Sequence, residues 1–379
     1  MRALVMKGNW QLEVEDLPEP RAAQGEVAIS VIATGICGSD LHGFTGENGR
    51  RFPGQVMGHE TVGRITQLGE GAAESGLAEG RLVTVNPVIS CGGCDACRAD
   101  AQQRCPSRRV IGVDPAIRSA FAETMTVPVA NAVALPESMP EEYGALVEPL
   151  AVGHHAAVRG DCGPDDRVLV IGGGPIGQAA ALGALRLGAQ RVVVSEPHPA
   201  RRALLGRLGL RAVDPGAGEL DALVGELLGG RPTLTFDAVG SEGTVGEALN
   251  VTDLGGRVVL VGMHSPRPVL PAYAVSTQER SLIGSFCYSA GEFTRTARWA
   301  AETDLDLSAL IEGRVDLSGA AGSFTGLARG EDQASKVLVH PHGVPDSAAS
   351  TAATQPCAST ATPGTSATPG TPDSKEAPK

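Results

Sequence analysis

The run that most restricts this chain is "DRVLVIGGGPIGQAAALGALRLGAQRVVVSEP", residues 166–197. It reads as an apolar strand, a glycine turn, a helix of small residues and a second apolar strand. Gly172, Gly174 and Gly177 form G-x-G-x-x-G where the strand gives way to the helix. The first glycine makes the turn, the second lets a pyrophosphate approach the backbone, and the third lets helix and strand pack closely. Free N–H groups and the helix dipole then hold the phosphate charge. Glu196 ends the next strand, 19 residues after Gly177. A carboxylate there accepts hydrogen bonds from ribose hydroxyls and repels a 2′-phosphate, so the unit predicts a site for NAD in preference to NADP. Arg201 and Arg202 lie close by and work in the opposite sense. A glycine-rich turn with no ligand is the plainer alternative.

The chain has 379 residues, about the size of two domains, and is 42% hydrophobic, enough to bury sizeable cores. Its net charge is -12 and no basic stripe is present, so nucleic acid is not an expected partner. The longest apolar runs are broken by glycine and fall short of a membrane span, so no membrane contact is expected. The N-terminal "MRALVMKGNWQLEVEDLP" alternates like a strand and lacks the apolar core of a signal peptide. A cytoplasmic protein with reduced thiols is the expectation.

The first third is rich in short strands such as "GEVAISVIATGIC" and "GRLVTVNPV". From about 150 the texture changes, and "LTFDAVG" and "GRVVLVGM" are further buried strands spaced for a doubly wound sheet. After about 290 a helical stretch, "GEFTRTARWAAE", leads to the strand-like "KVLVHP", which is read as returning to the first domain. From 344 the chain is rich in Ser, Thr, Ala and Pro and repeats "ATPGTSATPGTP"; it is read as a disordered tail in which Cys357 has no role. The expected division is thus 1–150, 151–289, 290–343 and 344–379.

"CGGCDACRADAQQRC" places Cys91, Cys94, Cys97 and Cys105 as C-x2-C-x2-C-x7-C. Disulfides are disfavoured in a reducing compartment. A C-x-x-C redox pair needs only two cysteines. Pro106 follows Cys105, as in the ferredoxin run, but the last spacing is four residues too long and no second cysteine-rich run exists. Four thiolates in one short loop match a closed tetrahedral zinc site that staples a lobe, about 88–108, with little core of its own.

A second set is scattered: Cys37 in "GICGSDLH", His59 and Glu60 in "GHE", and Glu148 in "VEPLAVGHH". Alone, Cys37 reads as a core residue and His59 as a satisfied loop histidine. Upstream of a dinucleotide motif they read differently. A zinc ion with an open position polarises an alcohol or carbonyl oxygen, which hydride transfer to a nicotinamide requires.

The ordered set "GICGSDLH", "GHE", the four-cysteine loop, "EPLAVGHHA", "VLVIGGGPIG" and "VVVSEP" resembles the zinc-dependent medium-chain dehydrogenase/reductase family from residue 1 to about 343. Within it the chain is most similar to the sorbitol and 2,3-butanediol dehydrogenases. The resemblance implies an α/β fold: a GroES-like β-rich catalytic domain and a Rossmann doubly wound parallel sheet. It implies two zinc ions per chain, catalytic and structural, and a homodimer or homotetramer. Cys37, His59 and Glu60 would bind the catalytic zinc, and Glu148 would bind it or hold its water. Ser39 would take the proton of the alcohol, His42 would pass it on, and Asp40 would support a ligand. Pro175, Ile176, Glu196 and Arg201 match cofactor contacts, with Val261, Gly262, Met263, Ser285, Phe286 and Cys287 beside the nicotinamide half.

The sorbitol enzymes resemble one another in a tyrosine just after the relay histidine and an arginine before a pocket tyrosine. Here those positions hold Gly43 and Cys287, although Tyr288 remains. A long polyol would be desolvated there without partners. The expected substrate is therefore a small secondary alcohol or diol like 2,3-butanediol, oxidised to a ketone. A threonine-type or sugar-intermediate dehydrogenase is the alternative, and a catalytically silent nucleotide-binding relative is a third reading. Arg50 and Arg51 are read as a solvated loop in preference to a site for an anionic substrate.

Overall fold

The computed structural model describes residues 1–47 and 49–345. Alternating apolar residues in the first third build an antiparallel sheet from β1 (Glu26–Gly35), β2 (Glu60–Leu68), β3 (Leu82–Val85), β4 (Thr124–Pro128) and β5 (Ala132–Ala134). β1 pairs with β2, β2 with β3 and β3 with β5, while β4 joins β1 along Glu26–Ser30. Val27, Ile29 and Val31 of β1 point to one face, where they meet Ile65, Val83 and Met125. Between β1 and β2 lies a short helix, α1 (Gly38–Thr45). Past β3, the short pair Val88–Ile89 and Arg109–Val110 closes the loop that carries the four cysteines.

A long helix, α2 (Tyr143–Arg159), runs unbroken through residue 150 and leads into the second sheet. That sheet holds β6 (Arg167–Ile171), β7 (Arg191–Ser195), β8 (Arg211–Val213), β9 (Leu234–Asp237), β10 (Arg257–Leu260) and β11 (Ser281–Gly284). All pairs are parallel, in the order β8-β7-β6-β9-β10-β11. The apolar run of β6 follows from its central place. Val168 and Val170 face the core shared with α2 and with α3 (Pro175–Arg186), whereas Leu169 and Ile171 face Leu220, Val224, Val245 and Leu249 on the other side. Burying each such side chain contributes about 1.5–3 kcal/mol. The strand order reverses between β6 and β9, the place where such sheets bind ligands.

After β11 comes α4 (Ala290–Glu302), started by a Ser289 capping box. The chain then returns as expected: β12 (Gly313–Asp316) runs parallel to β13 (Val337–His340), and β13 pairs with Thr34 and Gly35 of β1. One buried cluster holds Ala33, Val62 and Leu82 of the first sheet together with Val168, Val170 and Phe236 of the second. The expected tail lies, from Asp346 on, outside the described residues. Among the described residues no helix is long and apolar enough to cross a membrane.

Candidate active site

β1 and β2 are antiparallel with Gly35 opposite Glu60, so the end of one strand and the start of the next meet. Cys37 caps α1 there, and His59 and Glu60 open β2. One donor atom from each of Cys37, His59 and Glu60 lies within 4.8 Å of the others. A thiol, an imidazole and a carboxylate, two of the three buried, form a donor set suited to zinc. Asp40, in the first turn of α1, accepts from the Cys37 N–H (3.3 Å) and sits 3.6 Å from His59 Nδ1. Burial opposes the charge on Asp40, yet His59, Arg51 and the Cys37 N–H outweigh it and hold the carboxyl below its ordinary value. Burial likewise opposes a charged His59, but Asp40 and Cys37 hold that ring well above its ordinary value.

Two further groups close the cluster. Lys336 is fully buried, donates to Glu60 Oε2 and reaches the Ile36 carbonyl (3.2 Å). It precedes β13, and only the pairing of β13 with β1 brings it here. Nothing in "ASKVLVHP" singles it out. Glu148 sits on α2 just before Pro149, whose missing N–H removes one rung of the helix ladder. Tyr288 donates its hydroxyl to Glu148 Oε1 (2.9 Å). Burial, with the neighbouring Glu60 charge, pushes the Glu148 carboxyl up to about 7. Tyr288 is thus wholly buried against Glu148 and is not an open pocket group.

Ser39 and His42 stand three residues apart on α1 and so share a face. His42 Nδ1 lies 2.7 Å from Glu47 Oε2, and its ring is 6.3 Å from that of His264. Neither Glu47 nor His264 stands out in the sequence, because each is a lone residue in a loop.

The solvated-loop expectation for Arg51 is corrected. Its side chain is 1% exposed, and Nη2 pairs with Asp40 Oδ1 at 3.3 Å. Its stem runs across Gly43, where a Cβ would fall 2.2 Å from Arg51 Cγ. A loop arginine is buried because a helix glycine makes room and a buried acid calls for a cation. Arg50, by contrast, is exposed.

The four cysteines converge as their spacing implies, with one Sγ from each of Cys91, Cys94, Cys97 and Cys105 within 4.8 Å of the others. Backbone N–H groups of Gly93 and Cys94 pull the Cys91 thiol down to about 6, which favours the thiolate that binds metal.

The glycine turn has the geometry of a phosphate cradle. Gly172 has φ +93°, and a Cβ on Gly177 would sit 1.7 Å from the Gly172 carbonyl oxygen. A Cβ on Gly174 would meet nothing within 4 Å, so it would project into open space above the start of α3, which begins at Pro175 and Ile176. Glu196 is 3% exposed; Oε2 accepts from the Gly173 N–H and Oε1 from the His198 N–H, both at 2.7 Å. Arg202 is spent on the Glu196 and Pro197 carbonyls and on Asp214. Arg201 keeps a buried Nε with no partner, and Ser285 a buried Oγ with none. Val261, Gly262 and Met263 follow β10, and Ser285, Phe286 and Cys287 follow β11, at the C-terminal ends of parallel strands. Orphaned polar atoms around an open cradle fit a dinucleotide.

Family models agree with both halves: the alcohol dehydrogenase GroES-like domain matches residues 23–137, and the zinc-binding dehydrogenase model matches residues 175–302. The 2-dehydro-3-deoxy-L-galactonate 5-dehydrogenase of Pseudoalteromonas atlantica is 32% identical over 334 residues, 88% of this chain and 96% of its own. A zinc-binding dehydrogenase from Sinorhizobium meliloti, solved with NADP, superposes with a TM-score of 0.82 at 27% identity, covering 90% of this chain and 99% of that one. An Escherichia coli alcohol dehydrogenase solved with NADH gives 0.81 at 28% identity, with the same coverage. Other similar proteins, at 26–32% identity, are described as L-galactonate, L-idonate, sorbitol and 2R,3R-butanediol dehydrogenases.

Proposed function

The chain belongs to the zinc-dependent medium-chain alcohol dehydrogenase family, in its polyol and sugar-acid branch, and from that premise we propose that it transfers a hydride between a secondary hydroxyl of a small hydroxylated acid or polyol and NAD, giving a ketone. The observation that carries the proposal is where the donor cluster lies. Tyr288, four residues past β11, bonds Glu148 beside it, and His264, four residues past β10, faces His42. Donor set and nucleotide cradle therefore open on one place.

Cys37, His59 and Glu60 would hold the catalytic zinc, and the four lobe cysteines the structural one. When bound, the catalytic zinc supplies a Lewis acid that lowers the pKa of the alcohol. Asp40 keeps His59 oriented, and Arg51 neutralises Asp40 from behind. Lys336 balances the charge of Glu60. Ser39 takes the hydroxyl proton, and His42 passes it outward to Glu47 and solvent, a relay worth about 10²–10⁴-fold. Glu196 favours NAD, because its buried carboxylate would face a 2′-phosphate with Arg202 already engaged elsewhere.

The small-diol expectation rested on Gly43 and Cys287 standing where two polar contacts to a polyol would be. The Arg51 stem lies across Gly43, and the sugar-acid alternative is supported by the galactonate and idonate relatives. We place the protein in the cytoplasm, where a four-thiolate site stays reduced. We also propose a homodimer or homotetramer, supported by the uncovered edge of β11 and the exposed Val269 and Tyr273 of the preceding segment. The test is NAD+ reduction by zinc-loaded protein on L-galactonate, L-idonate, sorbitol, the 2,3-butanediol isomers and L-threonine, with NADP+ in parallel. Turnover of a sugar acid or polyol with NAD+ is expected; turnover of L-threonine alone, or with NADP+ alone, would contradict the substrate or cofactor assignment.

A further inference from the structure

The four-cysteine lobe grips the segment that follows β11. Ser289 Oγ donates to Asp100 Oδ2 (3.0 Å), the Gly291 N–H donates to Asp100 Oδ1 (3.1 Å), and the Ala290 N–H donates to Gln102 Oε1 (3.0 Å). The first turn of α4 thus has free N–H groups capped from another element. Asp100 adopts φ +52° to make these contacts, a conformation that Asp tolerates better than most residues. Beyond the latch, Arg108 lays its guanidinium over the Phe286 ring, with Cζ 5.3 Å from the centroid.

Phe286 begins the three-residue run that leads into the site. Cys287 comes next, in the left-handed region at φ +49°, and Tyr288 then holds Glu148. Arg108 therefore stands against the residue two positions before Tyr288, beside the half-buried Cys287. Arg108 is exposed, gives one N–H to the Cys105 carbonyl (3.4 Å), and has no ion pair among the described residues. Position 287 is where the polyol enzymes that this chain resembles carry an arginine. The chain has a small thiol there and brings a guanidinium from the lobe instead.

We propose that Arg108, held by the lobe through its Asp100 and Gln102 latch, binds the carboxylate of a hydroxy-acid substrate at the mouth of the site. This rests on the dehydrogenase reading given above. A guanidinium accepts a carboxylate through two parallel N–H bonds, and stacking on Phe286 fixes its plane before the substrate arrives. A neutral polyol of the same length gains nothing from the contact, so Arg108 separates acids from alcohols.

The test uses the zinc-loaded holoprotein with NADH and one matched pair of probes, L-galactonate and its neutral counterpart galactitol. Binding is read by calorimetry in that complex, and turnover is read separately with NAD+ as the hydride acceptor. Arg108→Ala should weaken galactonate about 10–100-fold, the loss of a charge-assisted hydrogen bond. Galactitol binding and zinc content should stay within about twofold, and Arg108→Lys should recover part of the loss. Equal weakening of both probes would make Arg108 a structural residue and overturn the proposal, as would an unchanged galactonate affinity or a wild-type protein that binds no galactonate. Galactonate binding lost in Arg108→Ala while no alcohol reduces NAD+ would sink the dehydrogenase reading alone. Turnover of alcohols with galactonate affinity untouched would sink the Arg108 assignment alone.

Discussion

Arg51 shows how a single residue can carry a long-range constraint. Its guanidinium is buried against Asp40 because Gly43 leaves a path for its stem. Gly43→Tyr, which installs the polyol-type side chain, should displace Arg51 and leave Asp40 buried without its cation. The cost is expected at about 3–5 kcal/mol in urea unfolding, the range for breaking a buried pair; a variant as stable as the parent would show that Arg51 is not locked in place. His42→Ala should slow turnover near neutral pH about 10²-fold or more while zinc content stays normal, and an unchanged pH–rate profile would count against the relay. Cys37, His59 and Glu60, whose donor atoms converge, were reached through the family resemblance that "GICGSDLH" and "GHE" carry, because scattered singly they have no spacing of their own to mark them. Lys336 and Arg51 were not. Burial of a lone lysine or a loop arginine is decided by chain segments tens to hundreds of residues away, and local pattern holds no trace of them.

At the scale of elements, the start of α4 joins three parts of the molecule. Glu292 accepts from the Ser289 N–H and lies 2.8 Å from His155 Nδ1 on α2, while Ser289 also reaches Asp100. Burial would raise the Glu292 carboxyl, but His155 and Ser289 outweigh it and hold it down at about 2. A carboxyl whose folded value lies below its unfolded one adds stability that is present above about 4.5 and lost as pH falls toward 2. Glu292→Gln should therefore cost on the order of 1–3 kcal/mol at neutral pH, with a stability profile flatter than the parent's between pH 4.5 and 2. A variant with the parent's acid slope would refute the assignment. Asp100→Ala should speed amide hydrogen exchange at Gly291 and the first turn of α4, and stripping metal from the lobe should do the same; unchanged exchange in both would mean that the lobe is not a latch. In the glycine turn, Gly177→Ala drives a Cβ against the Gly172 carbonyl oxygen. NADH affinity is expected to fall at least tenfold by fluorescence titration, with zinc content intact.

For the whole molecule, both sheets were readable because their textures differ: short β-rich runs broken by Gly, Pro and Asn marked the first sheet, and an unbroken apolar run marked β6, which is covered on both faces. The return of "KVLVHP" to the first sheet was also legible. The joining of the two halves was not, because α2 and the latch on α4 make contacts that no local pattern announces. Those contacts bring the donor cluster to the C-terminal ends of β10 and β11, and direct hydride transfer from a carbinol carbon to the nicotinamide depends on that placement. The most direct measurement is the fate of deuterium. Zinc-loaded protein is given NAD+ and the best substrate of the panel, labelled with deuterium on the carbon bearing the reacting hydroxyl, and the reduced cofactor is analysed by mass spectrometry and proton NMR. One deuterium at C4 of the nicotinamide, on a single face, is expected for each ketone formed. Reduced cofactor without deuterium, or ketone formed with the label washed into water, would contradict it.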